Sequence, residues 1–240
     1  MVAPIVICHQ LRSADNLGAV ARVMANFGLT ELILSDPKTH DFRGVERLGV
    51  KADPVLQRFA VAPTLEEALG KVVYAVGTTS RTALKRLAPL SPEAAVERLA
   101  HHAARGPVAL VLGGEKRGLS DDELSRCHDA LVIPTDLAQP SMNLSHAAAV
   151  LAYLCTRAPP VPAPAPEGAS LAVVHRLEAR LQEVLLAADF LNPQAPQHVL
   201  RELSRSLVRG QLSRREAELW LAALEHLARS LRAPASGAGR

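Results

Sequence analysis

The sequence predicts an α/β fold with a mostly parallel sheet, followed by an all-helical tail. Three observations carry this expectation. Short apolar runs alternate with helical patterns through residues 1–157, and such alternation marks parallel strands covered by helices on both faces. The stretch Ala158–Gly168 reads APPVPAPAPEG, and its five prolines are incompatible with helix or central strand. Beyond it strand signals cease, and apolar residues recur at helical spacing.

Ile5–Cys8 is the first predicted strand. A helix is expected over Asn16–Phe27, because Leu17, Val20, Val23, Met24 and Phe27 recur at helical spacing and Gly28 stops it. Glu31–Leu34 is the second strand. Thr64, with Glu67 three residues later, is a capping box opening the next helix. Lys71–Val76 is a strand that empties into Gly77-Thr78-Thr79-Ser80. Ser91-Pro92-Glu93 starts a helix with a capping hydroxyl and a proline in the first turn. Val108–Leu112 is a strand ending in Gly113-Gly114-Glu115-Lys116-Arg117-Gly118-Leu119. Ser120 and Glu123 cap a short helix reaching Cys127, and Ala130–Ile133 is a strand ending at Pro134. Asn143–Thr156 is an Ala-rich helix, apolar nearly all round and therefore expected to be buried. In the tail, Leu171, Val174, Leu177, Leu181, Val184 and Leu185 form one helix stripe. Phe190-Leu191-Asn192-Pro193 breaks it, and Val199, Leu200, Leu203 and Leu207 form a second. Ser213 and Glu216 cap a third helix, and residues 233–240 read as a frayed end. The expected organisation is a domain over residues 1–157, a linker over 158–168 and a helical extension over 169–235.

The 240 residues are 48% hydrophobic, enough for a proper core. Cys8, Cys127 and Cys155 have neither metal-ligand nor disulfide spacing. Each is expected to be a small buried hydrophobe in a reducing, cytoplasmic compartment, with no metal bound. Met1–Cys8 lacks a basic, apolar leader pattern, and no window approaches an uncharged apolar 18-mer, so no membrane span is expected. The net charge of +3 lies wholly in residues 169–240, where ten arginines face seven carboxylates. That balance permits nucleic-acid binding without requiring it.

The common enzyme signatures are absent: no GxGxxG after the first strand, no Walker motif, and no HExxH, GxSxG or CxxC. Three blocks remain. Asn16-Leu17-Gly18-Ala19-Val20-Ala21-Arg22 puts an amide and a guanidinium near a helix start, where an anion can bind; Asn16 reads equally as a helix cap and Arg22 as a surface charge. Gly113–Leu119 is either a close backbone approach to a ligand or a strand-to-helix turn. Ile133-Pro134, followed by Ser141-Met142-Asn143-Leu144-Ser145, is either a binding loop or a capped helix entry.

In order, the blocks NxGAxxR, GxExxGL and IP…SxNxSxA resemble the SPOUT superfamily of RNA methyltransferases, in its TrmH-type ribose 2′-O branch. The likeness covers residues 3–157. Gly77-Thr78-Thr79-Ser80-Arg81 and the tail segments Arg176–Leu186, Phe190–Pro193 and Leu200–Leu203 are similar to the TrmJ-type tRNA methyltransferases. Two departures stand out. Arg81-Thr82-Ala83 lacks a second arginine common there, with Lys85 and Arg86 following, and Gln139-Pro140 replaces the usual Tyr-Ser.

The resemblance implies a parallel-sheet SPOUT domain with a C-terminal trefoil knot, a small all-helical extension, and a homodimer with the Asn143–Thr156 helix at its interface. It implies S-adenosylmethionine as cofactor, held by Thr78, Thr79, Ser80, Gly113, Ile133, Pro140, Ser141 and Met142. It implies a catalytic set of Arg22, Asn16, Glu115 and Asn143. The expected reaction is methylation of a ribose 2′-hydroxyl in tRNA, at the cytidine or uridine that begins the anticodon loop. Ribosomal RNA methylation and a non-catalytic RNA-binding role are the alternatives. Retention of Asn16, Arg22, Glu115, Ser141 and Asn143 weighs against the last.

Overall fold

Ile5-Val6-Ile7-Cys8 and Val108–Leu112 are buried along their whole length, as strands covered on both faces must be. They lie at the centre of the sheet and set its order. The computed structural model describes residues 1–82, 84, 88–191 and 197–232. The readings placed on Ala83, Lys85 and Arg86, on Asn192-Pro193 and on residues 233–240 lie outside them. The elements run β1 (Ile5–His9), α1 (Ala14–Asn26), β2 (Leu32–Ser35), a 3-10 turn (Val45–Arg47), α2 (Asp53–Leu56), β3 (Ala60–Ala62), α3 (Leu65–Ala68), β4 (Tyr74–Thr78), α4 (Pro92–Ala103), β5 (Val108–Leu112), α5 (Asp121–Leu124), β6 (Asp129–Leu131), α6 (Leu144–Arg157), α7 (Leu171–Ala187), α8 (Gln197–Arg209) and α9 (Arg214–Arg232). Among the described residues the sheet has six strands, all parallel, in the order β3-β2-β1-β5-β4-β6. All strands therefore end on the same side.

The expected strands and helices are present with shifted bounds: β4 begins at Tyr74 rather than Lys71 and takes in Gly77 and Thr78, and β6 ends at Leu131, before Ile133. Helix α1 starts at Ala14, and Ser13 caps it by accepting from the Asp15 N–H. Asn16 is therefore not the cap, and its amide is left for other partners. Strand β3 carries no expectation from the sequence: Ala60-Val61-Ala62 is three residues long and largely exposed, too short for an alternation to register. Helix α6 is apolar almost all round, yet only Leu144, Ala148, Leu151, Ala152 and Cys155 are buried. Tyr153 on its other side is 53% exposed. The expectation of burial on every side is not met within the single chain. Thr64, Ser91 and Ser120 cap their helices as anticipated, and Ser120 and Glu123 complete a reciprocal capping box.

The chain divides into two compact units, Met1–Ala165 and Pro166–Arg240. In the first, α1 and α4 both pack on α6, and Leu17, Val20, Met24, Leu99 and Leu151 share one core with the sheet. In the second, α7 packs on α9 through Val174, Leu177, Val184, Ala217, Leu224 and Ala228. Ser213 and Glu216 exchange hydrogen bonds at the start of α9. Cys8, Cys127 and Cys155 are all buried, and burial pushes each thiol up to about 12. Among the described residues no helix is long and apolar enough to cross a membrane, and no group of three or more His, Cys, Asp or Glu is placed to hold a metal.

At the amino ends of the strands, away from the loops discussed below, Tyr74 stacks on His102 with ring centroids 4.1 Å apart. Its hydroxyl donates to Asp129, which Arg98 also grips at 2.7 Å. Burial, then the neighbouring charges of His101 and Arg105, lower His102 from 6.5 to about 4. The packed ring is thus the neutral one. Between those two values the unfolded chain takes up a proton that the folded chain refuses, so stability is present above 6.5 and declines as pH falls toward 4. One such proton is worth at most about 1.4 kcal/mol per pH unit. Urea midpoints near pH 7 and pH 4.5 check this. The drop is expected to shrink in His102→Phe, which keeps the stack without the titration, and an unchanged drop would exclude His102 as its source.

Candidate active site

Because β5 lies between β1 and β4, the loops after these strands and the start of α1 meet at one edge, the place where parallel sheets bind ligands. The loop after β5 is drawn tight by its glycines. A Cβ on Gly113 would lie 2.4 Å from the carbonyl carbon of Gly118, and Gly118 itself has φ +65°. Those two positions therefore demand glycine. The loop closes with Gly118 N–H donating to the Gly114 carbonyl at 2.9 Å. The chain then passes to Ser120 and α5, leaving Glu115 exposed at the tip.

Glu115, in the second block, meets the first directly and the third through Asn16. Both its carboxylate oxygens accept from the backbone N–H of Arg12, at 3.1 Å each, and Oε1 also accepts from Asn16 Nδ2 at 3.0 Å. The other end of that amide, Asn16 Oδ1, accepts from Asn143 Nδ2 at 3.4 Å. Asn143 Oδ1 in turn accepts from the N–H and the hydroxyl of Ser145, both at 2.8 Å, and so caps α6. Three of the four residues singled out as catalytic thus form one line, Asn143 to Asn16 to Glu115. The fourth does not join it. Arg22 is exposed on α1, and six positions on an α-helix carry it about 9 Å along and roughly 120° around from Asn16. Among the described residues it forms no ion pair.

The residues singled out for cofactor binding sit on neighbouring loops. Thr78 ends β4, and its hydroxyl donates to the Val111 carbonyl at 3.1 Å. The Thr79 N–H donates to the Leu131 carbonyl at 3.0 Å, which joins this loop to β6. Ser80 is exposed. Ile133 is half-buried against the sheet core. Pro140, Ser141 and Met142 lie on an exposed loop, closed by the Thr135 hydroxyl donating to the Pro140 carbonyl at 3.0 Å. Leu137 on that loop is 91% exposed and Met142 37%. Ile133 and Met142 supply apolar side chains, and Thr78, Thr79, Ser80 and Ser141 hydroxyl oxygens, the chemistry an adenosyl group can use.

Sequence reasoning missed several residues. The backbone amide of Arg12 bears no side-chain signal. Arg81 ties the loop after β4 to the start of α5, through Asp121 at 2.5 Å and the Leu119 carbonyl at 3.0 Å; it lay in a quoted motif without an assigned role. His9 is buried and meets Glu123, a pairing across 114 positions that no local spacing announces. A cleft of about 270 Å³ opens at the carboxyl ends of β1 to β3, lined by His9, Asp36, Thr64, Glu123 and Arg126 among others. None of the residues singled out for catalysis or cofactor binding lines it.

Comparison with known proteins supplies the family. Residues 3–153 match the SpoU rRNA Methylase family. The chain is 32% identical over 223 residues to the tRNA (cytidine/uridine-2′-O-)-methyltransferase TrmJ of Cronobacter sakazakii, covering 89% of this chain and 91% of that protein. It is 33% identical over 219 residues to the tRNA (cytidine/uridine/adenosine-2′-O-)-methyltransferase TrmJ of Pseudomonas aeruginosa, covering 85% of each. Its fold is similar to the crystal structure of TrmJ from Z. mobilis ZM4, with a TM-score of 0.83 over 94% of this chain and 99% of that one. The identity there is 24%. The protein carrying the Asn143–Asn16–Glu115 line belongs to the SpoU rRNA methylase family.

Proposed function

We propose that this chain is an S-adenosylmethionine-dependent methyltransferase acting on a ribose 2′-hydroxyl of tRNA. The observation that carries the reading is the hydrogen-bonded line of Asn143, Asn16 and Glu115, in a chain whose near full-length relatives bear the names of tRNA 2′-O-methyltransferases. We place the target at the cytidine or uridine that begins the anticodon loop. We assign residues 1–157 to a knotted catalytic domain, 158–168 to a linker and 169–235 to a helical extension, in a cytoplasmic protein.

When bound, the cofactor supplies a methyl group made electrophilic by a positively charged sulfur. The work left to the protein is to align the hydroxyl for in-line attack and to manage its proton. Thr78, Thr79, Ser80, Gly113, Ile133, Pro140, Ser141 and Met142 are the residues we assign to holding the cofactor. Glu115 anchors Asn16 and, through it, Asn143, so that these amides present fixed donors and acceptors to the ribose. Arg22 brings a planar guanidinium with five N–H donors in a fixed fork. Its role in this reading is to hold the target phosphate and to stabilise the alkoxide as it forms. The half-open face of α6, with Tyr153 packed edge-on to Phe27 at 6.3 Å, supports a homodimer through an isologous contact there.

Three outcomes follow. Purified protein is expected to bind S-adenosylmethionine in calorimetry and to transfer its methyl to tRNA; absence of both would remove the enzyme reading. Arg22→Ala is expected to lower turnover about 100-fold, the scale of losing one preorganised charge partner, with cofactor affinity within about twofold. Arg22→Lys should not restore the rate, since lysine lacks the planar fork; wild-type turnover in Arg22→Ala would take this residue out of the mechanism. Light scattering at micromolar concentration is expected to give twice the chain mass, and a monomer would remove the dimer.

A further inference from the structure

The loop bearing Glu115 is braced from behind by side chains that the reading above does not use. His9 ends β1, is 5% exposed, and pairs in register with Ser35 of β2. Its Nδ1 lies 3.0 Å from Ser35 Oγ and its Nε2 3.0 Å from Glu123 Oε1. The Glu123 carboxylate also accepts from the Ser120 N–H at 2.7 Å and from both Arg117 terminal nitrogens, at 2.6 and 3.2 Å. Arg117 Nη2 reaches on to Gln10 Oε1 at 3.1 Å.

The protonation pattern follows from the donor inventory. Burial pushes the Glu123 carboxyl up, but the Ser120 backbone N–H, Arg117 and His9 together outweigh it and hold it at about 2. An ionised Glu123 can only accept, so His9 Nε2 donates to it, and in the neutral ring Nδ1 accepts a hydrogen bond from the Ser35 hydroxyl. The line runs from Ser35 to His9 to Glu123, with Arg117 donating from the far side. Ser35 and His9 are paired in the sheet ladder. The loop holds glycine at positions 113, 114 and 118 and so has much backbone freedom to lose. Exposed ion pairs contribute little as a rule. This one is two-pronged, with the Arg117 side chain 50% and the Glu123 side chain 16% exposed, and a two-pronged arginine–carboxylate pair adds geometric specificity to its energy.

We propose that Arg117 is a positioning residue: by clamping the loop to Glu123 and Gln10, it sets the Glu115 carboxylate where it meets the Arg12 amide and Asn16. Its effect on catalysis rests on the methyltransferase reading; its effect on Glu115 does not. Arg117→Met keeps the aliphatic bulk and removes the fork. In the full chain, amide hydrogen exchange at Arg12 reports the Glu115 contact without any turnover. Arg117→Met is expected to speed exchange at Arg12 about tenfold, the scale of weakening one charge-assisted hydrogen bond, and to leave the β1 amides of Val6–Cys8 unchanged. It is also expected to lower kcat for tRNA about tenfold, with KM within about twofold, as for an interaction that matters only in the transition state. Unchanged exchange at Arg12 overturns the proposal, and so does faster exchange with unchanged kcat. A wild-type protein that methylates no RNA would sink the reading of function, while the Arg12 amide still decides whether Arg117 sets Glu115. Should Arg117→Met fail to fold, Arg117→Lys takes its place: a single charge in place of the fork is expected to speed Arg12 exchange by a smaller factor, and no change at all overturns the proposal.

Discussion

The site depends on one carboxylate. Glu115 accepts the Arg12 N–H on both oxygens and the Asn16 amide on one, which joins segments about a hundred positions apart. A carboxylate is acceptor-only, and here its partners are the backbone N–H of Arg12, in the turn before α1, and a side-chain amide. Removing it would take away the tie at Arg12 between the turn before α1 and the loop after β5, leaving the contact of Arg117 with Gln10. The Asn16 amide would also be free to rotate away from Asn143. The meeting is possible because β1 and β5 are hydrogen-bonded neighbours, with Cys8 opposite Leu112, so their loops leave the sheet side by side. Sheet order, loop glycines and carboxylate act as one construction.

The division of charge follows from this. Within the line Glu115, Asn16 and Asn143 the only formal charge is negative, and the neutral amides carry hydrogen bonds outward from it. The candidate cation, Arg22, stands apart on α1. A guanidinium beside Glu115 would form a closed ion pair and have little left for a phosphate. Set off by about 120° of helix, it stays available to an anionic substrate. On the function proposed above, that separation keeps the cation free for an RNA phosphate instead of pairing it with Glu115.

Much of the fold was legible in the sequence because its signals are local. Apolar runs four or five residues long became strands, and Ser or Thr three residues before Glu became helix starts. What failed was also physical. Asn16 resembled a cap, but Ser13 is nearer the true helix start and satisfies the free N–H groups first. Ala60–Ala62 pairs with β2 along its backbone, and three residues are too few for a side-chain pattern to read. The composition of α6 announced burial, whereas only one side of it is covered within a single chain. In the site, the glycines of GxExxGL could be read as a tight loop and Asn143 as a cap. The His9, Glu123 and Arg117 brace could not, because it depends on which strands are neighbours.

The central claim is that this construction methylates ribose in tRNA. Its most direct test is mass-spectrometric mapping of 2′-O-methylated nucleosides in tRNA and ribosomal RNA from cells with and without the gene. The account predicts loss of one methyl, on a pyrimidine at the start of the tRNA anticodon loop, with ribosomal RNA unchanged. Identical methylation maps, or a loss confined to ribosomal RNA, would contradict it.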